Sequence, residues 1–220
     1  MKNSILVHVA IIGLVSVCIA ADESVADDAA SPIIAPAAHD DSRVGMDAEA
    51  EARGIALWSA AAEGDLERFK LLLASGAEVQ ARPSGVPTSA LWIASQEGHT
   101  ELVKLLLALG TNIEAQDPSD GRTALFQAAQ EGHTKIVSLL LEHGARVDAV
   151  SSKTGATPLF IAAARGHVDI VRLLLEGRAD VDVVASANGI ADSPLSIART
   201  RHHAGIVELI ENYSRTDTRP

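Results

Sequence analysis

The chain has 220 residues, of which 47% are hydrophobic but only 3% aromatic, and its formal net charge is −11. This composition supports a buried aliphatic core and argues against a β-sandwich, which uses more β-branched and aromatic residues. The acidic balance also argues against binding to nucleic-acid phosphates, which requires clustered Lys and Arg.

Residues 1–20 have the pattern of a secretory signal peptide. Lys2 is the only charge, residues 5–20 are nearly all apolar, and the small residues ending at Ala20 suit a signal peptidase. We expect cleavage near Ala20 and a secreted or periplasmic protein. A membrane anchor formed by residues 5–20 and a lipoprotein cut at Cys18 are the alternatives. Because Cys18 is the only cysteine, a cleaved chain cannot form a disulfide or a cysteine-based zinc site.

Two segments precede the regular part of the chain. Residues 21–46 are rich in Ala, Asp, Ser and Pro and lack apolar periodicity, which predicts a disordered acidic linker. From Asp47 the sequence becomes helix-forming, and we expect Asp47 to cap an acidic lead helix that covers the open apolar end of the stack that follows. The predicted domain occupies residues 47–220.

This domain is an internal repeat. Its period of 34 residues is set by four glycines: Gly64, Gly98, Gly132 and Gly166. Such spacing is typical of helical solenoids. The predicted repeats span residues 54–82, 87–117, 119–150 and 153–184, followed by a C-terminal cap over residues 189–213.

Each repeat contains the same order of structural signals, seen best in the fourth copy. Thr157 is the expected N-cap of a first helix, and Pro158 is its first residue, where the missing N–H costs nothing. Gly166 and His167 then break the chain before a second helix, whose wide apolar stripe a single repeat cannot cover. The repeats must therefore stack on one another.

The second helices are expected to end at a glycine, a position that often demands a left-handed residue: Gly76, Gly110 and Gly144. The fourth copy has Arg178 at the equivalent position. Either the turn shifts to Gly177, or Arg178 adopts a strained conformation. In the cap, His202 replaces the glycine that follows the first helix, and the preceding loop is longer by two residues.

The motif Thr157-Pro158-Leu159-Phe160-x-Ala162-Ala163, followed by Gly166-His167 and a Leu-Leu-Leu run, closely resembles the ankyrin repeat. The resemblance covers residues 54–213 in five copies. It implies an all-α repeat solenoid of ankyrin-type helix–turn–helix units, with short β-hairpin loops projecting at right angles and a concave binding face. It also implies that the Gly-His pair begins the second helix and stabilises the turn before it.

One position departs consistently from the family pattern, which usually has a histidine after the leucine. This chain has aromatic residues there, at Trp58, Trp92, Phe126 and Phe160, and then Ser196. We interpret this aromatic column as packing between repeats that replaces the usual histidine hydrogen bonds. A ring-lined groove for a ligand is the alternative.

No catalytic set is recognisable in the sequence. It lacks a Gly-x-Ser-x-Gly elbow, a phosphate-binding glycine loop ending in Lys-Ser or Lys-Thr, and a His-Glu-x-x-His motif. Four histidines recur with the repeat, but stacked helices lie about 8–10 Å apart, too far to share one zinc ion: His99, His133, His167 and His203. Asp148 and Asp182 are interpreted as turn residues and not as an acid/base pair. We therefore expect no enzymatic activity, metal or cofactor.

Protein binding is the function that this pattern favours. By the geometry that the resemblance implies, the first-helix ends and the hairpin tips line the binding face. The candidate binding residues at these positions are Glu63, Glu97, Glu131 and Arg165 at the helix ends, and Arg122 and Lys153 at the hairpin tips. We expect this acidic-then-basic face to bind a protein or peptide after export, with the chain monomeric.

Several alternatives stay open at this stage. The face can be an ordinary solvated surface, and the protein can have a structural or protective role as an accessory or effector for an exported or host protein. An enzyme with an unrecognised site is a weaker alternative. Asn212-Tyr213-Ser214 matches a glycosylation sequon, which has meaning only in a eukaryote and is interpreted as a chance match.

Overall fold

The structure is a computed structural model that describes residues 41–80, 86, 88–187 and 190–216. These residues belong to one compact unit, Asp40–Pro220. The described residues form ten helices: α1 (Asp41–Glu63), α2 (Leu66–Ala74), α3 (Ala90–Glu97), α4 (Thr100–Ala108), α5 (Ala124–Glu131), α6 (Thr134–Glu142), α7 (Pro158–Arg165), α8 (Val168–Glu176), α9 (Pro194–Thr200) and α10 (Ala204–Thr216). Two short strands, β1 (Ala185–Ala187) and β2 (Ile190–Asp192), lie between α8 and α9.

The helices form two layers of stacked pairs. Helices α1, α3, α5, α7 and α9 are the first helices of the pairs. Each packs against the first helix of the next pair and against the second helix of its own pair. The second helices α4, α6, α8 and α10 contact one another in the same order behind them. The predicted all-α solenoid is confirmed.

Local sequence signals determine where the first helices begin and end. A Ser or Thr side chain accepts a backbone amide at four helix starts: Ser89, Thr123, Thr157 and Ser193. Four first helices end at left-handed glycines with φ of 72°, 84°, 86° and 85°: Gly64, Gly98, Gly132 and Gly166. Glycine adopts this conformation without a Cβ clash, so the predicted caps and breaks are confirmed.

The core is mainly aliphatic, as the composition predicted. An alanine at the same position of each first helix is fully buried: Ala60, Ala94, Ala128, Ala162 and Ala198. Leu106, Leu140 and Leu174 of the second helices are also fully buried. The small alanines let neighbouring helices approach closely, while each buried leucine contributes about 1.5–3 kcal/mol to folding.

Helix α1 differs from the predicted lead helix. It runs without a break from Asp41 to Glu63, so residues 41–46 of the expected linker are helical and Asp47 lies inside the helix instead of capping it. Gly54 does not interrupt α1, because the surrounding Ala and Glu residues favour helix strongly. Arg53 Nη1 donates to the carbonyl of Ser75 at 3.3 Å, which ties α1 to the end of α2.

The predicted signal peptide and residues 21–40 of the expected linker lie outside the described residues. In the part of the chain that the structure describes, no helix combines the length and the apolar character needed to cross a membrane.

The loops between pairs bond to one another. The Ser152 amide donates to the carbonyl of Asp120, and the Ser186 amide to that of Thr154, both at 2.8 Å. Within the described residues, paired strands occur only in the last loop, where β1 and β2 are antiparallel and Ser186 lies opposite Ala191. The extra residues that the sequence shows in this loop give it room for two strands. The other described loops are tighter hydrogen-bonded turns.

Among the residues that the structure describes, two other than glycine have left-handed backbones. Arg178 has φ of 64°, while Gly177 before it has φ of −73°. The turn therefore does not shift, and Arg178 adopts the strained conformation. His202, in the glycine position of the cap, likewise has φ of 60°. Asn212 of the sequon is exposed on α10.

Candidate functional site

A histidine follows three of the four repeat glycines and links neighbouring helix pairs. His133 Nε2 donates to the backbone carbonyl of Gln96 at 2.9 Å, and because a carbonyl only accepts, this nitrogen carries the proton. The same bond joins two further pairs: His99 to Ala62 at 3.0 Å and His167 to Gln130 at 3.1 Å. The predicted structural role of these histidines is confirmed. Among the described residues, no group of three or more His, Cys, Asp or Glu is placed to hold a metal ion.

Each of these imidazole rings lies against the glycine of the preceding repeat. A Cβ atom added to Gly98 would lie 2.6 Å from Cε1 of His133, and one added to Gly132 would lie 2.7 Å from Cε1 of His167. Glycine is therefore required at these positions for two reasons: the turn is left-handed, and the imidazole ring lies too close for a side chain.

The aromatic column is part of the packing between first helices. Phe126 and Phe160 are only 2% and 4% exposed, which confirms the packing interpretation for these two residues. Trp58 Nε1 donates to Thr88 Oγ1 of the next pair at 3.2 Å. Trp92 Nε1 is buried with no acceptor among the described residues. The position that corresponds to Thr88 in the following repeat is an arginine, which offers no acceptor.

That arginine, Arg122, lies against α5. Its Cζ is 5.0 Å from the centroid of the Phe126 ring, and its Nε is 2.6 Å from Asp120 Oδ2. Its Nη1 donates to Gln130 Oε1 at 3.3 Å. Burial raises the pKa of Asp120, and the neighbouring Asp117 carboxyl adds to the increase while Arg122 opposes it. The cation predicted at a hairpin tip is thus held against α5 with its charge paired.

Four charged residues end the first helices of the first four pairs, and we call them the front row: Glu63, Glu97, Glu131 and Arg165. All four are exposed, and equal spacing places them at equivalent positions on neighbouring helices. Glu63 forms an ion pair with Arg68 at 3.0 Å. Within the described ranges, no ion pair involves Arg165.

The two central carboxylates of the front row are held by glutamine side chains. Gln96 Nε2 donates to Glu97 Oε1 at 3.0 Å, and Gln130 Nε2 donates to Glu131 Oε1 at 2.7 Å. Among the residues that the structure describes, no cation lies within ion-pairing distance of either carboxylate. Both negative charges therefore face solvent without neutralisation.

Comparison with protein-family models agrees with this architecture. The model for ankyrin repeats (3 copies) matches residues 57–151, 91–187 and 148–219. The chain belongs to the ankyrin repeat family. Ankyrin repeats are general protein–protein interaction modules and are typically non-catalytic. A search of curated proteins found no significant match.

One buried residue of the ankyrin domain was missed by the sequence interpretation. Gln127 is only 4% exposed, and its Nε2 donates to Gln96 Oε1 at 3.1 Å. Its Oε1 has no partner among the described residues. Alignment of the repeats could have revealed this residue, because a polar Gln127 stands where the neighbouring repeats have the apolar residues Ile93 and Ile161.

Exposed apolar residues in the loops of the ankyrin domain were also missed. Val150 and Val184 occupy equivalent positions in successive loops, and they are 46% and 57% exposed. The signal is a valine repeated at the domain period within the loops between helix pairs. Lys153, the predicted hairpin-tip cation, is exposed three residues after Val150. The loops thus present apolar and basic side chains together.

The structure assigns Asp148 to a link between loops. Its Oδ1 accepts the backbone amide of Asp180 at 3.0 Å, and Asp180 Oδ1 in turn accepts the amide of Asp182 at 2.9 Å. Burial raises the pKa of Asp148. The hydrogen bond from the Asp180 amide lowers this pKa, while the nearby Asp180 carboxylate raises it further. These contacts confirm the predicted turn roles of Asp148 and Asp182.

Proposed function

We propose that the ankyrin domain acts after export as a monomeric, non-catalytic module that binds a protein or peptide partner. The front row is the centre of the binding surface, and Arg122 and Lys153 of the adjoining loops extend it. The observation that carries the proposal is the exposure of Glu97 and Glu131, followed by Arg165, at helix ends where packing does not determine the residue type. Such positions can be adapted to a partner without loss of the fold.

The distribution of charge supports this assignment. An uncompensated carboxylate on a rigid helix end attracts an oppositely charged partner and orients it as it approaches. Glu97 and Glu131 provide two such groups, and Arg165 supplies the opposite charge at the next position. A partner can therefore recognise both the charges and their order.

Charge-reversal variants of the full chain test the proposed surface. We expect the Glu97→Lys/Glu131→Lys variant to lose partners that the unmodified protein captures by chemical crosslinking from the medium or compartment where it resides. The matched control is Glu142→Lys/Glu176→Lys, which makes the same charge change at exposed ends of second helices. Circular dichroism checks that each variant is folded. Retention of the same captured proteins by both variants would refute the proposed surface.

Export is tested separately by mass spectrometry of the mature N-terminus. The charge and hydrophobicity pattern of residues 1–20 supports cleavage near Ala20. We expect the first residue of the mature protein to be Ala21. Intact Met1 in a cytoplasmic fraction would contradict export. Intact Met1 in the membrane fraction, or a lipid on Cys18, would show that the protein is anchored to a membrane and not cleaved near Ala20.

A further inference from the structure

We propose that the partner segment bound by the front row is an extended stretch in the polyproline II conformation, with the order cation, cation, anion at every third residue. Its two cations face Glu97 and Glu131, and its anion faces Arg165. This inference rests on the proposed function and adds the chemistry of the partner.

The identity of the charges follows from the two central carboxylates. Each has one oxygen fixed by a glutamine amide, so its position is restricted before any ligand binds. The second oxygen, Oε2, forms no hydrogen bond or ion pair within the described part of the chain. A Lys ammonium or an Arg guanidinium of a partner matches this acceptor, and a fixed acceptor reduces the entropy lost on binding.

The spacing of the partner's charges follows from the helix stack. The alanines where the first helices approach, Ala94 and Ala128, are fully buried, which is consistent with helix axes about 8–10 Å apart. A polyproline II segment advances about 3.1 Å per residue and has three residues per turn. Every third side chain therefore lies on the same side, about 9 Å from the previous one, which matches the step from Glu97 to Glu131.

An unsatisfied polar atom in the residue that bonds to Gln96 provides a separate indication of a ligand. Gln127 is more than nine-tenths buried and its Nε2 donates to Gln96 Oε1, yet its own Oε1 has no donor among the described residues. Native proteins leave few buried polar atoms unpaired.

A backbone N–H of the bound segment can satisfy this acceptor. A polyproline II backbone suits this role, since its amide groups are not used within the segment itself.

Synthetic peptides test the order and spacing of the charges. The first probe has lysine, lysine and glutamate separated by pairs of residues, one alanine and one proline in each pair. The second exchanges the order to lysine, glutamate, lysine, and the third places the three charged residues side by side. All three have the same composition and net charge. Binding to the full chain is measured by fluorescence anisotropy at low ionic strength.

We expect the first peptide to bind about tenfold more tightly than either control peptide. The Glu97→Gln/Glu131→Gln variant should lose this preference, because it keeps the side-chain size and removes the charges. The matched variant Glu142→Gln/Glu176→Gln should keep it. Equal binding of the three peptides, or equal losses in the two variants, would overturn the proposal.

The role of Gln127 is tested with Gln127→Ile, which installs the side chain found at the equivalent positions. We expect a higher Tm together with binding of the first peptide weakened about threefold. A higher Tm with unchanged affinity would assign Gln127 a purely structural role and overturn its part in the site. The peptide tests could fail while a crosslinked partner is still lost in the charge-reversal variant of the front row. That result would reject the partner chemistry proposed here but would not contradict the proposed function.

Discussion

A single methyl group at Gly98 tests how neighbouring repeats are joined. In Gly98→Ala, the new Cβ would lie 2.6 Å from Cε1 of His133 and 2.9 Å from its Nδ1. The ring cannot move away without disturbing the bond between His133 Nε2 and the Gln96 carbonyl, which is 2.9 Å long. The substitution therefore adds a clash between repeats to the cost of an alanine in a left-handed turn.

Gly144 provides a matched control, because it has the same φ of 84° and no atom within 4 Å of an added Cβ. We expect Gly144→Ala to lower the free energy of unfolding by about 1–2 kcal/mol through the backbone alone. Gly98→Ala should cost about 1 kcal/mol more, the value of one hydrogen bond that is lost or weakened. Urea denaturation of the full chain, followed by circular dichroism, measures both.

A double-mutant cycle isolates the contact with the ring. In a His133→Ala background the ring is absent, so Gly98→Ala should cost no more than Gly144→Ala. Equal costs for the two glycine substitutions in the unmodified background, or the same cost of Gly98→Ala with and without the ring, would refute the reasoning.

Three further substitutions test individual residues. Arg178→Gly should raise the free energy of unfolding by about 1 kcal/mol, measured by urea denaturation, because glycine removes the left-handed strain; Arg178→Ala should give no such gain. Asp148→Asn should stabilise the protein at pH 7 in urea denaturation, because the raised pKa of Asp148 means that its charged form is disfavoured on folding. This gain should shrink as the pH falls through that raised pKa and vanish below the ordinary value of 3.8; a gain independent of pH would contradict the assignment. Gln127→Ile should raise the free energy of unfolding by about 1–2 kcal/mol, measured by thermal or urea unfolding, because it removes an unsatisfied buried acceptor. A loss of stability would show instead that the amide is needed for packing.

Local signals account for the parts of the fold that were predicted correctly. A cap such as Thr157 bonds to an amide three residues away, and a glycine such as Gly98 sets the backbone at its own position, so both act within a few residues. The start of α1 was misplaced because a long run of helix-forming residues offers several starting points of similar free energy. Asp47 is a good cap by residue type, yet it lies within such a run.

The sequence by itself determined the period, the helix pairs, the turns and the row of charged helix ends, because these depend on residue types repeated at fixed intervals. Only the tertiary structure decided that Arg122 lies on Phe126, that Gln127 keeps an unpaired oxygen, and that Arg178 bears the strain that a shift of the turn to Gly177 would have avoided. Such contacts join side chains far apart in the chain, as in the bond from Gln127 to Gln96, 31 residues earlier. They depend on how closely one pair of helices packs on the next, which no local interval of the sequence specifies.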